Sequence, residues 1–260
     1  MKAGANAMAR KRTGVQTLPE VTISEDSEVR FLHLGTEWIQ GSMLIDAPFD
    51  IELDYVQRMM AWLLFVEPES VNQRRALQLG LGSAALTKFC FKKLRMDTTA
   101  IEINPQVLAV CHQWFKLPVD GPRLRVVLAD AGEEIRRADY AGSVDALQVD
   151  LYDHEAAAPV LDSPDFYADC RAALTDDGCL TVNLFGRDTS YERSLQSICA
   201  VFGDDAVWAF KPTREGNTIV LAQRSPNRPT RMALLARAEN VQERWGLPAV
   251  KWLRIFKPVG

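Results

Sequence analysis

At 260 residues, with 47% hydrophobic and 25% charged side chains, the chain is long enough for one large α/β domain, or for one such domain with a small appendage. A formal net charge of -4 argues against a nucleic-acid binder held by phosphate contacts. No run approaches the ~18 apolar residues that a membrane span needs, so neither nucleic acid nor membrane is an expected partner.

Taken from its start, residues 1–18 are basic but lack the apolar core of a signal peptide, and they read as a flexible tail. Its Arg10-Lys11-Arg12 cluster reads as solvated charge rather than as a contact to nucleic acid or lipid. From Val21 to Ala47 three stretches, VTISE, EVRFLHLG and EWIQGSMLID, have strand character and are punctuated by Gly35 and Gly41. They predict a small antiparallel sheet ahead of the main domain. Leu53 to Phe65 reads as a helix with Tyr55, Met59, Trp62 and Leu63 on one face, ended by Pro68. Sheet and helix together make up a region spanning 19–66.

The stretch RRALQLGLGSAALTKFCFKKLRMDTTAIEINP, Arg74 to Pro105, reads as strand, glycine turn, helix and strand, closing on Glu102. Gly80 and Gly82 let the backbone turn tightly and approach a ligand. Leu86, Cys90 and Leu94 recur every four residues and form an apolar helix stripe, with Lys88, Lys92, Lys93 and Arg95 as solvated charges beside it. An acid about twenty residues after the glycine turn, at a strand's carboxyl end, is placed to accept hydrogen bonds from ribose hydroxyls. By itself a GxG turn is equally consistent with a plain tight turn.

Strands are expected at 76–79, 98–102, 124–128, 145–150, 179–184, 206–211 and 218–222, and helices near 84–95, 105–115, 131–138, 165–174 and 190–202. Five strands with helical crossovers, then a terminal hairpin, describe an α/β fold with a doubly wound, mostly parallel seven-stranded sheet. That domain is placed at 67–225. Residues 226–260 form a basic helical extension packed on the domain, with a partner-binding arm as the alternative. Five cysteines without a CxxC pair and three histidines point to neither a disulfide framework nor a metal site. Buried thiols in a reducing cytoplasm are the expectation.

Further strand ends carry acids. One strand ends Leu128-Ala129-Asp130-Ala131, and the next ends Gln148-Val149-Asp150-Leu151-Tyr152-Asp153. Ligands bind at this carboxyl edge in open α/β sheets. A single acid there is also a ready helix cap, as Asp130 is for the helix beginning near Gly132.

With LGLGSAAL (79–86), IEINPQV (101–107), LADAGEEI (128–135), VDLYDHEAAAP (149–159) and DFYADCRAALTDDGCL (165–180), the chain resembles the spermidine synthase (polyamine aminopropyltransferase) family. That family has the class I S-adenosylmethionine methyltransferase-type, Rossmann-like fold. The leader QGSMLIDAPFDIELDYVQRMM fits it too. The resemblance implies a transferase of polyamine biosynthesis, with decarboxylated S-adenosylmethionine as co-substrate, no prosthetic group, a small amine as acceptor and a homodimer. It implies that Glu102 holds the ribose, that Asp130 and Ala131 contact adenine, and that Gly80, Gly82 and Ser83 pass beneath the methionine-derived portion. Asp150 matches the catalytic aspartate and Asp153 the second acid that holds the amine. Tyr55, Gln40 and Tyr152 fall among its substrate-contacting positions.

The sequence departs from the family in three places. The family loop GGGDGG reads here Gly80-Leu81-Gly82-Ser83-Ala84-Ala85, so the loop acid that faces the amine end of the decarboxylated nucleoside is Ser83. Its loss removes a partner for a buried ammonium, and leaves room for the carboxylate of ordinary S-adenosylmethionine. The family DSSDPxGP becomes Asp150-Leu151-Tyr152-Asp153-His154-Glu155, with Pro159 later, and Val56-Gln57 replaces a polar, acidic pair on the amine side. These changes keep two alternatives open: an S-adenosylmethionine-dependent methyltransferase, and a non-catalytic binding protein with a degraded site.

Overall fold

A computed structural model describes residues 18–151, 161–185 and 189–260. The N-terminal strands β1 (Val21–Asp26), β2 (Val29–Leu34) and β3 (Ile39–Leu44) form an antiparallel sheet in the order β1-β2-β3. The next segment departs from expectation. Instead of one helix over 53–65, α1 (Asp54–Arg58) stops and a tighter 3-10 turn follows at Ala61–Phe65. The cause is a buried polar layer beneath it. The Met59 carbonyl accepts from the Thr181 hydroxyl at 3.1 Å and from the Gln148 amide at 3.4 Å, so it is drawn out of the helical ladder. Gln148 in turn accepts from Gln78 Nε2 at 2.8 Å. Gln78, Gln148 and Thr181 are all fully buried, and leaving any of them unpaired would cost about 1–3 kcal/mol. Pro68 does not end this helix; it opens a separate 3-10 turn, Pro68–Gln73.

The main sheet begins with β4 (Arg75–Leu79), whose residues after Arg75 are buried, as a central parallel strand requires. α2 (Ala85–Lys88) follows and then widens into a π-turn at Phe89–Lys93 rather than running on as an α-helix to 95. Lys88, expected in solvent, is instead buried, and its Nζ donates to the Phe115 carbonyl at 2.8 Å. Burial pushes its pKa down to about 8, with nearby Cys111 opposing. The ammonium thereby satisfies a carbonyl at the end of α3 (Pro105–Trp114), which follows β5 (Asp97–Glu102).

Next come β6 (Leu124–Leu128), a short α4 (Ala131–Glu134), β7 (Val144–Val149), α5 (Pro164–Ala173), β8 (Leu174–Phe185), α6 (Thr189–Phe202), β9 (Val207–Phe210) and β10 (Asn217–Gln223). The chain closes with α7 (Arg231–Trp245), α8 (Ala249–Trp252) and β11 (Phe256–Pro258). The strand order is β11-β9-β10-β8-β7-β4-β5-β6, with β6-β5-β4-β7-β8 parallel and β10 reversed. The sheet therefore has eight strands rather than seven. β11 pairs antiparallel with β9 through Phe256, Lys257 and Pro258, a three-residue edge segment with no alternation to betray it.

Apolar clusters cover both faces. One, around Met59, Trp62, Phe89, Trp208 and Trp252, lies under α7 and α8. The other, around Leu77, Leu147, Phe166, Tyr167 and Ile198, lies under α5 and α6. A third, with Leu32, Met43, Val107 and Phe115, seats the N-terminal sheet on α3. α7 packs through Leu234, Ala238 and Val241, and its basic residues are used locally: Arg237 pairs with Glu67 at 2.5 Å, and Arg244 with Glu69. The running order of strands reverses between β4 and β7, and in such sheets that is where ligands bind.

Candidate active site

At the reversal, Gly80 takes φ +93, and a Cβ placed on it would lie 2.3 Å from the Asp150 carbonyl oxygen. No side chain fits there, so the glycine is what allows the ends of β4 and β7 to meet. The contact is stitched from both sides: the Gly80 N–H donates to Ile101 O at 2.9 Å, and the Asp150 N–H donates to Leu79 O at 3.0 Å. Gly82 also has positive φ, +52, and a Cβ there would stand 3.3 Å from the Gln40 carbonyl oxygen. The start of β3 thus crosses the glycine turn, which brings Gln40 to the turn through its backbone.

Ser83 is buried, and its hydroxyl donates to the Ser42 carbonyl at 2.9 Å. A Cβ on Gly41 would fall 2.6 Å from Ser83 Oγ. Ser83 is therefore packed against the backbone of β3.

Glu102 closes β5 and is buried. Its Oε2 accepts from the Leu81 N–H at 3.0 Å and its Oε1 from the Asn104 N–H at 2.8 Å. Burial pushes its carboxyl above the ordinary value, and the backbone N–H groups of Asn104, Leu81 and Ile103 oppose the rise. The acid sits on the turn itself and braces it. One strand over, Asp130 is exposed and caps α4, accepting from the Glu133 N–H at 3.0 Å, while Ala131 is buried behind it. Beside these acids, Ile103 and Leu128 are 46% and 50% exposed, an apolar surface left open at the carboxyl edge.

Asp150 follows β7 and is partly buried. Its Oδ1 accepts from Asn183 Nδ2 at 2.9 Å, and Tyr55 on α1 hydrogen-bonds the same carboxyl. Burial pushes the Asp150 carboxyl above its ordinary value, and the Asn183 and Tyr55 bonds pull against that shift. Asn183 on β8 and Asn217 on β10, which donates to Asn183 Oδ1 at 3.1 Å, carry no sequence motif. The available signal was a polar residue in each of two apolar runs, TVNLF and NTIVLA. Val56 is buried in the core, and Gln57 spends its amide on the Ile51 carbonyl at 2.7 Å, so neither presents charge to Asp150. Tyr152, Asp153 and His154 lie outside the described residues. The structure thus brings Gly80, Gly82, Glu102, Asp150 and Tyr55 to one edge, with Asp130 and Ala131 at the end of the neighbouring strand.

No protein-family model matches the chain. Its relatives include the polyamine aminopropyltransferase of Chromobacterium violaceum, 35% identical over 240 residues that cover 92% of this chain and 89% of that protein. The polyamine aminopropyltransferase of Neisseria meningitidis serogroup A is 34% identical over 243 residues, with the same coverage of both chains. Among solved structures, a probable spermidine synthase from Corynebacterium glutamicum superposes with a TM-score of 0.75 at 16% identity, covering 95% of this chain and 92% of that one. Human methyltransferase-like protein 13, solved with SAH, gives a TM-score of 0.65 at 25% identity, covering 80% of this chain and 95% of that one. A spermidine synthase bound to the transition-state analogue AdoDATO gives 0.63 at 15% identity, covering 90% and 85%.

The raised Asp150 carboxyl has a consequence for stability. The folded chain holds this proton more tightly than the unfolded chain, so stability falls as pH rises from the ordinary carboxylate value of about 3.9 through the raised folded value. At pH 7 the buried charge costs stability. Asp150→Asn is expected to melt at a higher temperature than the parent at pH 7, with the difference closing below about pH 3.9, where both chains carry a neutral group. Thermal melts across pH check this, and a lower melting temperature for the variant at pH 7 would contradict it.

Proposed function

The chain belongs to the polyamine aminopropyltransferase family, and we propose that it transfers the aminopropyl group of decarboxylated S-adenosylmethionine to a small amine, as in the making of spermidine from putrescine. The amine nitrogen attacks the carbon next to the sulfonium. A C–N bond forms, the C–S bond breaks with its electron pair on sulfur, and the products are a neutral thioether nucleoside and a longer polyamine. Only the neutral amine has a lone pair for the attack. With an alkyl-amine pKa near 10.4, reaching that form at pH 7 costs about 4–5 kcal/mol.

The observation that carries the reading is the placement of Asp150, a partly buried carboxyl at the strand reversal beside the glycine turn. Asp150 takes the proton as the amine attacks, and its raised affinity for a proton suits that task. Tyr55, bonded to the same carboxyl, lines the amine's approach. Asp153, with Tyr152 beside it, holds the amine's remaining cation, an assignment supported by the sequence resemblance.

On the donor side, Glu102 binds the ribose hydroxyls, supported by its place at the end of β5 against the glycine turn. Asp130 and Ala131 meet the adenine, which covers the exposed faces of Ile103 and Leu128. Gly80, Gly82 and Ser83 run under the sulfonium arm, with Gln40 crossing above. The remaining contribution is alignment of the two reactants. Methyl transfer would use the same fold, which by itself separates no activities.

Two chains pair through the N-terminal sheet, supported by Trp38 and Ile39, which are 62% and 47% exposed on its hairpin. Sedimentation at micromolar concentration tests the pairing, and a monomer there would contradict it. For the chemistry, Asp150→Asn is expected to lower kcat by about 100- to 10,000-fold, the range for losing a general base, with nucleoside affinity within about twofold of the parent. Single-turnover assays with decarboxylated S-adenosylmethionine and putrescine decide this, and turnover near the parent's would remove Asp150 from the mechanism.

A further inference from the structure

We propose that Asn183 and Asn217 are positioning residues for Asp150: a two-amide relay across β10 and β8 that holds one carboxylate oxygen as an acceptor and leaves the group aimed at the amine. The proposal rests on the reading of Asp150 as the base.

Both asparagines are buried, so their amides must be paired. The contacts run in one direction. Asn217 Nδ2 donates to Asn183 Oδ1 at 3.1 Å, and Asn183 Nδ2 donates to Asp150 Oδ1 at 2.9 Å. The direction follows from the last member. An ionised carboxylate only accepts, so Asn183 must turn its NH2 to Asp150 and its carbonyl to Asn217. Asn217 then has to offer its own NH2. Reversing either amide places a carbonyl against a carbonyl or against the carboxylate.

The far end of the relay is anchored in the turn that precedes β10. Asn217 begins β10 after a tight turn, in which its N–H donates to Thr213 Oγ1 at 3.1 Å and its carbonyl accepts from the Thr213 N–H at 2.7 Å. The same turn is tied to α1, because Arg58 donates to the Lys211 carbonyl at 2.8 Å while pairing with Asp54 at 2.5 Å. α1 carries Tyr55, the other group on the Asp150 carboxyl. Asp150 is therefore gripped through two routes that meet in one turn. A carboxylate gripped by two donors keeps its orientation whether or not substrate is present.

The test is the polarity of the relay rather than its mere presence. Asn217→Asp has nearly the same shape, but its carboxylate cannot donate to Asn183; it recruits the Asn183 NH2 and turns the Asn183 carbonyl onto Asp150. It is expected to lower kcat more than Asn217→Ala does, although it leaves no cavity. Asn183→Ala is expected to lower kcat about 10- to 100-fold, the equivalent of losing a hydrogen bond to a charged group. The double variant Asn183→Ala, Asn217→Ala should fall no further than Asn183→Ala alone, because the second asparagine acts through the first. The amine KM and the nucleoside Kd should stay within about twofold throughout, and far-ultraviolet melts confirm that each variant is folded. The relay is overturned if Asn217→Asp turns over like the parent, or if the two alanine losses multiply. If Asp150→Asn itself keeps parental turnover, the assignment of the base fails and the relay with it. A dead Asp150→Asn beside a fully active Asn217→Asp overturns the relay alone.

Discussion

The site depends on one close approach, that of Gly80 to the carbonyl of Asp150. A side chain on Gly80 would overlap that oxygen, at 2.3 Å, so the meeting of β4 and β7 exists only because this position carries none. The same contact fixes the two halves of the proposed site relative to each other. The glycine turn and Glu102 lie on one side of the strand reversal, and Asp150 with its partners lies on the other. On the proposed reading, alignment of the two reactants would rest on backbone packing rather than on mobile side chains.

Beneath that contact, a polar layer inside the sheet shapes what reaches Asp150 from above. Gln78, Gln148 and Thr181 would be costly in an apolar core, yet together they satisfy one another and take up the Met59 carbonyl. The price is a broken helix. The gain is that α1 ends at Arg58, where it can be tied by Asp54 and the Lys211 carbonyl with Tyr55 on the Asp150 carboxyl.

Much of this was legible from the residues in order. Strand runs separated by a glycine turn, with acids at successive strand ends, led to Gly80, Glu102, Asp130 and Asp150, because each signal is local and falls at the edge of an element. What sequence could not carry was pairing at a distance. Asn183 and Asn217 are separated by 34 positions and meet only because β8 and β10 lie side by side. Ser83 looked like a lost charge, but its partner Ser42 stands 41 positions earlier in another sheet. Lys88 read as a surface charge, since the periodicity of α2 gives no sign that α3 offers a carbonyl within reach. β11 is too short to alternate, and the break in α1 follows from a hydrogen-bond acceptor claimed by strands that come much later in the chain.

Ser83 also focuses the question of the donor. In the resembling family a loop acid stands at this position; here a neutral hydroxyl is tied to the β3 backbone. The most direct test is calorimetric titration of the full chain with decarboxylated S-adenosylmethionine and, separately, with S-adenosylmethionine. Tighter binding of the decarboxylated nucleoside is the result this account predicts. Tighter binding of S-adenosylmethionine, or binding of neither, would contradict it.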